Sequence, residues 1–187
     1  ARRELLEVQN VALDEIRTLR RGTTWDPDPE LIGEPLREAL APLAAASVKA
    51  GGRGAADLGA APAPEQVSPD RALSFADGMV DALVAAAIEA AASEDQGTDV
   101  ARMFRSWRND EVERWVMTVG YAGYHDGLLA GLAAAGVAEV VGVRHGRLCR
   151  ECPAGSGMVW DPAGGPPAGF ATPPAGIDCT CAVESHL

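Results

Sequence analysis

No cysteine occurs before Cys149, and Lys49 is the only lysine in a chain of 187 residues. Aromatic residues are scarce, at 5%, and much of the 47% hydrophobic fraction is alanine. A core built from such side chains favours close-packed helices over a large sheet. Basic residues are outnumbered, giving a net charge of −11. That balance disfavours non-specific attachment to nucleic acid or to an anionic membrane surface. The most apolar run, MVDALVAAAIEAAA, is mostly alanine and carries Asp81 and Glu89, so no membrane-spanning helix is expected. GGRG (51–54) lacks both the Lys-Ser/Thr and the preceding strand of a phosphate-cradling loop. No nucleophile–base pair and no poised carboxylate pair stands out, which argues against an enzyme. The chain opens on Ala1 inside an amphipathic pattern, without a secretory leader. A trimmed chain is the expectation.

What is present reads first as helix. Leu5, Val8, Ala12, Ile16 and Leu19 form one stripe over residues 2–21. Arg17, Arg20 and Arg21 favour the C-terminal end, and Gly22 is the stop. TTWDPDPE is a loop. A second helix is expected from about Glu30 to Lys49, broken or kinked at Pro35 and Pro42 and ended by GGRG. Residues 51–67, rich in Gly, Ala and Pro, read as a flexible linker. SPDR places Ser68 as N-cap and Pro69 at the first helical position of a third helix, running to about Asp95. Thr98 is expected to cap a short helix, RND (108–110) to break it, and a long helix to run from Asp110 to about Ala135, where Gly136 ends it. The texture then changes. VAEVVGVRHG, GMVWD and CTCAVES read as short strands. The fold class predicted is α+β: a mainly helical N-terminal part followed by a small β-containing, zinc-knuckle-like unit. The segments are 1–67 (helices and linker), 68–136 (helical core) and 137–187 (β unit with the cysteine site).

All four cysteines fall in that last segment, as Cys-x-x-Cys (Cys149, Cys152), 26 residues, then Cys-x-Cys (Cys179, Cys181). Two close thiolate pairs on tight turns suit a tetrahedral structural Zn2+, which would close the base of a loop with little core of its own. Two disulfides, four plain buried thiols or a redox-active pair are the other readings. Four sulfur ligands leave no open coordination position, so a catalytic metal is disfavoured. His145 reads as a strand-end residue more than a substitute ligand, and His125 as a helix-packing residue. His186, at the chain end, reads as solvated. Trp107, Trp115, Tyr121 and Tyr124 read as packing residues.

A long helix with a Gly exit, a strand, Cys149 and Cys152, then SGMVW and PPAGIDCTC together resemble the Mu F-like minor head proteins of tailed phages, the head-morphogenesis family. Thr118, Gly127 and Gly136 match the family's long helix, while Val119 and His125 replace its acid and its Asn. Gly176 and Thr180 stand where the family often has His and Arg, so a metal site here rests on the four cysteines. The resemblance covers roughly residues 75–187. It implies a non-enzymatic, low-copy head component that docks on the portal or major capsid protein and acts in head assembly or in DNA packaging and ejection. Such a protein lies near packaged DNA without reading its sequence, in the virion and, during assembly, in the host cytoplasm. Arg17, Arg20 and Arg21 are the candidate partner contacts. A cytosolic zinc-ribbon interaction module is the alternative.

Overall fold

The computed structural model describes residues 1–60, 67–145, 152 and 157–185. Among these, five α-helices precede three short strands: α1 (Arg2–Thr18), α2 (Pro29–Asp57), α3 (Asp70–Ala91), α4 (Gln96–Ser106), α5 (Val112–Ala134), β1 (Val140–Arg144), β2 (Val159–Trp160) and β3 (Cys181–Ser185). The mainly helical α+β reading holds, and no described helix is long and apolar enough to cross a membrane. The chain divides into two compact units that are not consecutive segments. One comprises Ala1–Ala41 with Leu73–Val116, the other Pro42–Ala72 with Met117–Leu187.

In the first unit, α1 buries Leu5, Val8 and Ala12, so its apolar stripe is part of the core. The helix ends at Thr18, three residues earlier than the arginine run suggested, and Gly22 takes a positive φ of 85° in the following turn. Asp28 starts α2 by accepting from the Glu30 and Leu31 backbone N–H groups, with Pro29 at the first helical position. Trp25 is buried, donating its indole N–H to Glu15 and its backbone N–H to Gln96. Gln96 in turn donates to the Thr23 carbonyl, so α4 holds the loop between α1 and α2.

Other helix boundaries differ from the sequence expectation too, α3 spanning Asp70–Ala91 instead of running from Pro69 to about Asp95. First, α2 runs unbroken through Pro35, Pro42 and GGRG to Asp57. Its buried positions Ile32, Leu36, Leu40, Ala44 and Val48 recur every fourth residue. Each large apolar side chain buried there is worth about 1.5–3 kcal/mol, enough to offset interior prolines that cost about 3 kcal/mol apiece. Of the expected linker, residues 51–57 are therefore helix, and 61–66 lie outside the described residues. Second, Asp95, not Thr98, caps α4: its carboxylate accepts from the Thr98 backbone N–H. Third, RND breaks nothing. Trp107–Glu111 forms a π-helical turn that carries α4 directly into α5.

In the second unit, Gly136 ends α5 as expected, at φ 72°, with the Val137 N–H bonded back to the Leu132 carbonyl. The strands pair antiparallel in the order β2-β1-β3. Leu128, Leu129 and Leu132 of α5 and Ala55 of α2 form one core with Val140, Trp160 and Val183 of the sheet. Each strand thus presents one buried residue to the end of the long helix.

Candidate metal centre

Cys181 opens β3 and pairs with Arg144 at the end of β1. Two residues earlier, Cys179 closes a turn in which its N–H bonds the Gly176 carbonyl and Asp178 takes a φ of 65°. That left-handed conformation is one Asp tolerates better than most side chains. Cys152 arrives from the segment between β1 and β2 and is buried, as is Cys181, while Cys179 is half-buried. The three sulfurs lie within 4.8 Å of one another, the Cys152 and Cys179 sulfurs 3.2 Å apart, and none is in a disulfide.

Three thiols in that space are close enough to hold a metal ion. In a tetrahedral sulfur site with bonds of about 2.3 Å, neighbouring sulfurs are about 3.8 Å apart. The sulfur separations, 3.2 Å for one pair and no more than 4.8 Å for any, are compatible with that value, and the all-sulfur donor set suits a soft or borderline ion. Of the four cysteines singled out in the sequence, the fold therefore assembles Cys152, Cys179 and Cys181. Cys149 lies outside the described residues, as does His186.

Near the thiols stands His125, read from the sequence as a helix-packing residue, and it is packed. His125 of α5 is 4% exposed, and its Nδ1 lies 2.9 Å from the Tyr121 carbonyl oxygen. The carbonyl only accepts, so Nδ1 carries the hydrogen. Burial holds the His125 imidazole below its ordinary pKa; the bond to Tyr121 opposes this, Arg71 adds to it, and Cys179 opposes it. With Cys181, Tyr121, His145, Thr180 and Ala182, His125 lines a cavity of about 390 Å³.

Arg71 was legible only as part of a helix start, yet its side chain bonds to both α5 and the segment before β3. It donates from Nε to Asp126 at 2.8 Å and from its two terminal nitrogens to the carbonyls of Ala122, Thr172, Pro173 and Pro174. Burial pushes the Asp126 carboxyl above its ordinary range, and Arg71 only partly restores it. No local sequence signal marks this contact, because Arg71 and Pro174 are 103 residues apart.

The sequence-predicted partner contacts lie in the other unit. Arg17 is exposed in the last turn of α1 and pairs with Asp14 at 2.6 Å, while Arg20 and Arg21 are exposed just past the helix end. Comparison with protein-family models, with curated proteins and with solved structures gives no match for this chain.

Proposed function

We propose that the chain is a structural, non-enzymatic minor head protein of a tailed bacteriophage whose C-terminal unit folds around a zinc ion. The observation that carries this reading is the meeting of the Cys-x-x-Cys and Cys-x-Cys segments. They are separated by 26 residues in the chain, yet their described sulfurs come within 4.8 Å, beside the cavity that Tyr121 and His125 of the long helix line. That helix–strand–cysteine order is the one on which the resemblance to Mu F-like head proteins rests.

Cys152, Cys179 and Cys181 hold the ion in this reading, and Cys149, three residues before Cys152, supplies the fourth thiolate. Bound zinc cross-links the two segments, and its binding free energy adds to folding. With four sulfur ligands it has no position for water or substrate, in keeping with a structural role. Docking on the portal or the capsid interior is assigned to the helical part, with Arg17, Arg20 and Arg21 as cationic contacts. The net charge of −11 keeps the chain from adhering to packaged DNA.

Quantitative mass spectrometry on gradient-purified, nuclease-treated particles tests the reading. Peptides such as SWRNDEVER in the particle fraction, far below coat-protein abundance, are the expected result. A protein confined to the soluble lysate sinks the head assignment and leaves a cytosolic zinc-ribbon interaction module.

A further inference from the structure

Residues 161–180, between β2 and β3, contain no helix or strand, yet they must deliver Cys179 and Cys181 to the cluster. The strand end is set by the β1–β3 pairing, with Cys181 opposite Arg144. Upstream of Cys179, the Arg71 side chain gathers the segment. Three consecutive carbonyls, of Thr172, Pro173 and Pro174, turn onto the Arg71 guanidinium at 3.0, 3.1 and 3.4 Å. The remaining N–H groups reach Asp126 at 2.8 Å and the Ala122 carbonyl at 3.0 Å, both on α5. Among the described residues, five acceptors thus meet the five N–H donors of one planar fork. The pair is sheltered, with Arg71 28% and Asp126 18% exposed.

We propose that Arg71 is the positioning residue of the metal centre. It fixes the course of the segment that carries Cys179 and Cys181 to the cluster. The inference rests on the reading of the cysteines as a metal site and adds the group that preorganises it. Outer partners bonded directly to a ligand commonly change metal affinity by about 10–100-fold when lost, and Arg71 acts one step further out, through the backbone at 172–174. Lysine is the discriminating replacement: it keeps the charge, but its three donors radiate from one point and cannot serve acceptors spread along two segments.

The experiment uses the full chain with thiols reduced. Zn2+ affinity is measured by competition with a chromophoric chelator at fixed pH, and the absorption spectrum of the Co2+-substituted protein is recorded. Arg71→Lys is expected to weaken Zn2+ binding about tenfold, the low end of that range, and to alter the Co2+ ligand-field bands, with far-UV circular dichroism matching the unsubstituted chain. A folded Arg71→Lys protein with unchanged affinity and an unchanged Co2+ spectrum overturns the proposal. If Arg71→Lys does not fold, Asp126→Asn decides. It keeps the shape and the four carbonyl contacts, and a loss of affinity of less than about tenfold, but outside error, supports the proposal. Unchanged affinity in that variant overturns it. Failure of the unsubstituted chain to take up Zn2+ or Co2+ instead removes the metal-site reading, and the inference with it.

Discussion

A Cβ placed on Gly127 would lie 1.9 Å from the carbonyl oxygen of Val48, so α2 and α5 cross there in backbone contact. The same crossing puts a Cβ on Gly51 1.8 Å from the Tyr124 carbonyl. The GG pair of GGRG, which reads locally as a helix stop, is thus part of the surface that lets the second unit close.

Gly127→Ala and Gly51→Ala should each destabilise the protein by about 1–3 kcal/mol or more, because backbone must move to admit the methyl group. Gly120→Ala is the contrast: its added Cβ meets only the Ser47 hydroxyl, at 3.7 Å. It should be neutral or stabilising by up to about 1 kcal/mol through helix propensity. Urea denaturation of the three variants checks the ranking, and equal losses at Gly120 and Gly127 would refute the close crossing.

Pro42 is exposed in the interior of α2. Pro42→Ala restores an N–H to the helix without disturbing a buried contact and should raise stability by about 1–3 kcal/mol. A fall in the urea midpoint would show that the proline shapes the helix in a way the unit needs.

Replacing Cys152 or Cys181 by Ser should weaken Zn2+ affinity by more than about 100-fold, beyond the usual cost of losing an outer partner. Amide exchange in β1 and β3 should accelerate when the ion is removed by a chelator. The result that counts against a structural metal is identical exchange in these strands with and without chelator.

His125 sets a pH dependence. Burial lowers its pKa from the usual 6.5, so between the folded value and 6.5 the unfolded chain binds more protons than the native one. Stability should therefore be full above about 6.5 and decline as pH falls below it. The Tyr121 carbonyl bonds the ring, Tyr124 stands edge-on to it at 5.8 Å, and Arg71 and Cys179 act on it electrostatically. Chemical denaturation of the metal-free, reduced chain should show this slope, and His125→Gln should flatten it. An unchanged slope in the variant would assign the effect to another group.

Where periodicity is strong, the elements could be read directly. The stripe of α1, the Gly136 exit from α5 and the β-branched run at Val140–Val143 all carry their signal within a few residues. The errors came where a local breaker met a tertiary benefit. Pro35, Pro42 and GGRG lie inside α2 because its fourfold-spaced buried stripe and its close crossing with α5 outweigh local propensity. RND lies inside a π turn whose Trp107 is buried.

The candidate site divides in the same way. The sequence alone singled out the candidate ligands, because all four thiols stand in Cys-x-x-Cys and Cys-x-Cys spacing. Only the tertiary structure decided what surrounds them. Arg71 meets Pro174 across 103 residues, and His125 reaches the thiol cavity through the rotation of α5. Ligand chemistry is a property of side chains and their local spacing. Positioning depends on contacts between distant segments, whose free energies exist only once the chain has packed.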